Sequence, residues 1–113
     1  MSEAPDVTAV ATVLEDDCAR CILLRARNEP MSASDLSERC GVSEATIYRR
    51  LEPLREHDLV VERTKPAEGG HHYKEYRTNL DRLTVDLTDD GFEVQVRRRE
   101  SMADRFTRLI EDM

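Results

Sequence analysis

The stretch 32–61, SASDLSERCGVSEATIYRRLEPLREHDLVV, constrains the fold more tightly than any other part of the chain. Ser32 with Asp35 three positions on has the form of a capping box, in which a hydroxyl and a carboxylate satisfy orphan N–H groups at a helix start. Leu36 and Cys40, four apart, share the inner face of the short helix that follows. Gly41 then accepts a left-handed turn without steric cost, Val42 plugs the corner, and Ser43 caps a second helix. There Ile47, Leu51 and Leu54 follow the i, i+4, i+7 pattern of a buried stripe. Two helices joined by a tight turn at Gly41 make a helix-turn-helix.

The run GVSEATIYRRLEPLREHDLVVER at 41–63 resembles the second half of a winged helix-turn-helix of the ArsR-like kind. The later GHHY and DDGFEVQV resemble its halophilic archaeal branch. The resemblance implies an α+β fold, mainly α with small β, in which a winged helix-turn-helix carries an additional β-hairpin and a C-terminal helix. It also implies a transcriptional regulator that binds double-stranded DNA as a homodimer. In metal-sensing relatives a Cys-x-Cys pair precedes the Asp-Leu of the motif's first helix. Ser32 and Ser34 hold those places here, so that metal site is absent.

At 113 residues the chain has room for one domain, 1–113. No run approaches the roughly 20 apolar residues of a membrane span, and the first ten residues lack both a basic start and a long apolar stretch. A soluble cytoplasmic protein with no membrane partner is expected. Three cysteines without framework spacing suggest reduced thiols.

The net charge of −7 argues at first against a polyanionic partner. Its distribution reverses that. Residues 1–38 carry 8 acids and 3 bases and residues 78–113 carry 9 and 6, whereas residues 39–77, which contain the helix-turn-helix, carry 7 and 8. The bases are 15 Arg to 2 Lys, which with the acidic excess resembles proteins adapted to very high salt. Charges there are screened within about 3 Å at 1 M ionic strength, so negative charge costs little binding and a regulator cannot lean on phosphate neutralisation alone. Base-edge and shape contacts must carry more.

Along the chain, Val7, Val10, Ala11 and Leu14 recur at helical spacing, and Ala19, Ile22, Leu23 and Ala26 form the inner face of a second helix behind Glu15, Asp16 and Asp17, so that 7–30 reads as two N-terminal helices. Cys18 and Cys21 lie three apart on it, which suits small hydrophobes in a helix interface and also a possible redox pair; a metal site would lack enough ligands.

The helix-turn-helix occupies 32–57. With Ile47, Leu51 and Leu54 inward, Ala45 and Arg49 of the segment 43–56 point most nearly outward, flanked by Thr46 and Glu52. Arg49 can donate two hydrogen bonds to guanine, Ala45 and Thr46 can meet a thymine methyl, Ser43 can hold a phosphate, and Tyr48 and Arg50 on the flanks suit the sugar-phosphate backbone. Pro53 removes a helical N–H, and a kink or loosened turn is expected there.

Residues 59–78 read as a wing of two strands, with Arg63, Lys65, His72 and Lys74 as DNA-binding candidates. His71 and His72, adjacent on a strand, point to opposite faces and cannot easily share an ion.

A second hairpin over 83–98, with a turn at Asp90-Gly91, either extends the wing sheet or covers part of a dimer interface. Arg97, Arg98 and Arg99 form either a DNA-flanking patch or a counterweight to nearby acids. The segment 100–113 reads as a helix whose Met102, Phe106, Leu109 and Met113 form a seam for dimerisation.

The reading is a sequence-specific DNA-binding regulator that is not an enzyme and needs no cofactor, because the sequence has no Gly-rich phosphate loop and no nucleophile with an identifiable base. Two rivals share the fold: a winged-helix module that binds proteins and never DNA, and a redox-responsive regulator acting through Cys18 and Cys21.

Overall fold

The computed structural model describes residues 6–100 and residue 110. Asp6 caps α1 (Val7–Glu15) by accepting from the Ala9 N–H, and Asp16 does the same for α2 (Asp17–Arg25) through Ala19. A short strand β1 (Met31–Ser32) leads into α3 (Ala33–Cys40). There Ser32 Oγ accepts from Asp35 N at 3.1 Å while the Asp35 carboxylate accepts from Ser32 N, closing the capping box. Gly41 sits at φ 66°, and the N–H groups of Gly41 and Val42 both close onto the Ser37 carbonyl. This is the left-handed stop that only a residue without Cβ takes freely.

Ser43 starts α4 (Glu44–Glu56), which holds Pro53 inside it and continues to Glu56. The missing N–H lies on the exposed side of the helix, where water can satisfy the Arg49 carbonyl.

Three strands complete the winged part, in the order β1-β3-β2, with β2 (Val60–Pro66) and β3 (His72–Thr78) antiparallel and joined by a 3-10 turn at Glu68–Gly70. The core lies where α2, α3 and α4 meet this sheet. Ile22, Leu36, Ile47, Leu51, Leu54 and Leu59 are at most 1% exposed there, with Val60 and Tyr76 closing the sheet side. In α1 the buried residues are Val10 and Val13, while Val7, Ala11 and Leu14 face outward, so the inner stripe is turned from the one expected. The architecture is an α+β winged helix-turn-helix.

The second hairpin, β4 (Leu80–Thr88) and β5 (Gly91–Arg98), forms its own two-stranded sheet and does not extend the wing. Its turn residues are Asp89 and Asp90, with Gly91 already paired to Thr88. The expected seam of Met102, Phe106, Leu109 and Met113 lies outside the described residues.

A polar knot fixes this hairpin to the winged part. Asn79 is 2% exposed; its Nδ2 donates to the carbonyls of Asp58 and Glu100, both at 3.1 Å, and its Oδ1 accepts from Glu100 N at 2.9 Å. Arg98 Nη2 donates to the His57 carbonyl at 2.7 Å, and its Nε reaches the carbonyls of His57 and Asp58. These carbonyls end α4, where the helix dipole is negative and a guanidinium is favourable. Asp58 takes the left-handed conformation at φ 55°, which is costly outside glycine and is held here by the bonds to its carbonyl.

The Arg97–Arg99 run is therefore committed to structure. Arg97 pairs with Asp81 at 2.7 Å, as the counterweight reading had it, Arg98 caps α4, and Arg99 donates to the Arg27 carbonyl at 2.7 Å. Asn79→Ala removes three part-buried side-chain hydrogen bonds to the backbone of Asp58 and Glu100 and is expected to lower unfolding free energy by about 1–3 kcal/mol in urea denaturation. A change below about 0.5 kcal/mol would place Asn79 among ordinary surface positions.

Candidate nucleic-acid interface

One face of α4 is locked and the other is open. Ile47, Leu51 and Leu54 are buried, whereas Ala45, Tyr48 and Arg49 are exposed, Tyr48 to 53%. Ser43 Oγ accepts from Thr46 N at 3.1 Å and lies 3.0 Å from Thr46 Oγ1, and Arg49 Nη2 donates to Thr46 Oγ1 at 3.2 Å. Ser43, Thr46 and Arg49 thus form a polar line along the first turns of the helix, beside N–H groups that have no carbonyl of the helix four residues upstream.

The basic side chains around this line differ in how they are engaged. Arg50 Nε lies 2.9 Å from Asp16 Oδ2, a charge contact too bent for a good hydrogen bond, which ties α4 to the cap of α2. Arg55 and Lys74 share Glu62, each at 3.1 Å. Arg63 lies 4.0 Å from Glu100. Among the described residues, Arg49 is the one base of α4 in no ion pair. The expected backbone-contact role of Arg50 thus competes with a tertiary contact that helical projection could not reveal.

The wing candidates divide between two faces. Directly opposed residues of an antiparallel pair point to the same side. Register sets Lys74 opposite Thr64 and His72 opposite Pro66, on the face shared with Glu62 and buried Tyr76. Arg63 and Lys65 stand on the other face, together with Val61 and Arg77. The sheet therefore brings Lys74 and His72 to the side of α4 and sends Arg63 and Lys65 away from it. The sequence offered no means of sorting them, because strand pairing and register decide it.

The cysteines are paired differently from expectation. Cys21 and Cys40 form a disulfide, with Cα atoms 5.9 Å apart, linking α2 to the last residue of α3; Cys18 is free and partly buried. This overturns both the three reduced thiols and the Cys18–Cys21 redox pair. Helices α2 and α3 cross so that Cys21 faces Cys40, 19 positions away, a juxtaposition that sequence spacing does not encode. Burial pushes the Cys18 thiol above its ordinary 9.0, the Asp16 carboxylate pushes it further, and Arg50 opposes both. Among the described residues no group of three or more His, Cys, Asp or Glu could hold a metal ion.

A raised thiol is a poor nucleophile near neutrality, since the thiolate is the reacting species. Iodoacetamide should therefore label Cys18 of the folded protein slowly at pH 7–8, with a rate that climbs until the pH exceeds 9.0. Asp16→Asn should speed the labelling and Arg50→Ala should slow it, as read by mass spectrometry of the labelled peptide.

Residues 19–63 match a family model described as a helix-turn-helix domain. The match opens on Ala19, the first buried residue of α2, and closes on Arg63 in β2, so it holds the disulfide, α3, the Gly41 turn and the whole of α4. No curated protein matches the chain. No helix among the described residues is long and apolar enough to cross a membrane. Over residues 19–63 the chain is thus similar in sequence to helix-turn-helix domains.

Proposed function

We propose that the chain is a sequence-specific double-stranded DNA-binding transcriptional regulator of the ArsR-like winged type, acting as a homodimer in a cytoplasm of high salt. The observation that carries the reading is the sorting of charge around α4. Arg50, Arg55 and Lys74 are each engaged by a carboxylate, while Arg49 projects from the exposed face and, among the described residues, meets the Thr46 hydroxyl and no carboxylate. A guanidinium preset in this way, on a helix whose other face is buried, suits bidentate donation to a guanine edge in a major groove.

Ser43 and the N-terminus of α4 take a phosphate, Ala45 and Thr46 meet thymine methyls, and Tyr48, with Arg50 when it leaves Asp16, follows the backbone. Lys74 and His72 extend this surface along the wing. Arg63 and Lys65 belong to it only where the ribbon tip enters a minor groove with both faces in reach. The chain's −7 charge is tolerable because the reading relies on base edges in strong screening rather than on summed attraction. No catalytic step and no cofactor enter this reading.

The test is selection of bound fragments from genomic DNA in molar potassium chloride. Enrichment of a two-fold motif by the parent is expected, with Arg49→Ala binding it more weakly by about 1–3 kcal/mol, or about 5- to 150-fold, and relaxing the base preference at one position of each half-site. Undiminished binding by Arg49→Ala would remove α4 as the reading element and favour the protein-interaction module.

A second reading is favoured by the disulfide, which sits one residue before the Gly41 turn that aims α4. A redox response would run through Cys21 and Cys40, with Cys18 as bystander. A dithiol reductant would supply two electrons and two protons, leaving two thiols and an oxidised dithiol. Dithiothreitol is then expected to change DNA affinity of the parent and not of a Cys21→Ser/Cys40→Ser protein. Equal affinities of the parent with and without reductant would end this reading and leave the first intact.

A further inference from the structure

The β4–β5 hairpin stands on its own, hydrogen-bonded to no other strand among the described residues. A lone two-stranded sheet is marginal in water; three or more strands with an apolar face are needed for stability. Here Leu83/Val96, Val85/Val94 and Leu87/Phe92 are opposed pairs on one face. At the inner end Leu80 and Val96 pack on the core. The outer pairs are bare, with Val85 46%, Leu87 74% and Phe92 61% exposed. β5 also lies beside α1, whereas the far edge of β4, nine residues long and without proline, offers unpaired backbone groups to another strand.

The sequence of β4 indicates what that other strand is. Written about Thr84, it reads Arg82, Leu83, Thr84, Val85, Asp86. An antiparallel copy centred on Thr84 sets Thr84 against Thr84, Leu83 against Val85, and Arg82 against Asp86. Across 82–86 every opposed pair is then of a kind that stabilises a sheet: hydroxyl with hydroxyl, apolar with apolar, and opposite charges twice; outside that stretch Leu87 faces Asp81 and Leu80 faces Thr88. Arg82 and Asp86 are both exposed and take part in no ion pair among the described residues, although Asp81, Arg97 and Arg63 nearby all do. A shift by one residue would set apolar side chains on the charged face, so the pattern also fixes register. The irregular pairing between Leu80 and Arg82 bounds the matched stretch at its inner end.

We propose that the open edge of β4 is an interaction surface for the same edge of a second copy of this chain, paired antiparallel about Thr84. The product is a four-stranded sheet, β5-β4 of one copy continued by β4-β5 of the other, with a two-fold axis at Thr84 and an apolar face twice as wide. Val85 gains Leu83 of the second copy as its neighbour. The contact is isologous and closes after two copies, because β5 is the remaining edge and lies against α1. This rests on the homodimer of the functional reading and names its interface.

The experiment uses the full chain without DNA, in a salt at which circular dichroism shows it folded. Sedimentation equilibrium is expected to give a dimer for the parent. Arg82→Glu and Asp86→Arg should each weaken it on the order of tenfold, and an equimolar mixture of the two variants should recover a dimer, because the mixed pair restores both opposite-charge contacts. Thr84→Cys in a Cys18→Ser background should form an intermolecular disulfide under mild oxidation, whereas Asp86→Cys should not. A monomeric parent at about 100 μM, a concentration at which stable interfaces are filled, would overturn both the edge and the homodimer. A dimer that ignores the charge changes and does not cross-link through Thr84→Cys would overturn the edge alone and leave the dimer to another surface.

Discussion

The close of α4 is the constraint on which the rest of the molecule depends. A helix that ends inside a small domain must dispose of its last carbonyls, and here those of Pro53, Arg55 and Leu54 accept from the N–H groups of His57, Asp58 and Leu59, while the next two carbonyls, at His57 and Asp58, are bound by the Arg98 guanidinium and the Asn79 amide. Both donors come from chain beyond the wing. The same Asn79 receives Leu59 on its other side, with its own N–H bonded to the Leu59 carbonyl at 2.8 Å. One buried amide therefore sets the end of α4, the start of β2 and the base of the hairpin relative to each other. The left-handed Asp58 is tolerable because of this enclosure.

The body of α4 is held by equally few groups. Asp16 accepts from Ala19 N at 2.7 Å and faces Arg50 at 2.9 Å, so one carboxylate starts α2 and holds the middle of α4. Glu62 draws Arg55 and Lys74 together and ties α4 to the wing. These contacts are partly exposed, and ion pairs of that kind contribute little stability. Their value is in sorting: they take bases out of circulation and leave Arg49 projecting. In a protein with a net charge of −7, the exposed face of α4 then shows Arg49 in no ion pair among the described residues.

Much of this was written locally. The capping box at Ser32 and Asp35, the glycine turn at Gly41, the cap at Ser43 and the buried stripe Ile47, Leu51 and Leu54 each involve residues within a few positions of one another, so helical geometry alone makes them readable. The hairpin was readable for the same reason, from two-residue alternation and a turn, with a one-residue error in the turn because Gly91 takes a strand position at φ 127°. The stripe of α1 was misplaced because a nine-residue helix can turn either of two apolar edges inward, and only what it packs against chooses.

What the sequence by itself determined is thus the order and kind of the elements and the face of α4 left exposed, since these follow from the period and the end chemistry of single segments. What only the tertiary structure decided is which distant groups meet. Cys21 bonds to Cys40 across 19 positions, Asn79 reaches Asp58 across 21 and Arg98 reaches His57 across 41. The same holds for the division of the wing residues, with Lys74 and His72 on one face and Arg63 and Lys65 on the other. Each depends on how helices cross or on which strand residue opposes which. Those relations are fixed by packing a shared core, and no single segment contains them.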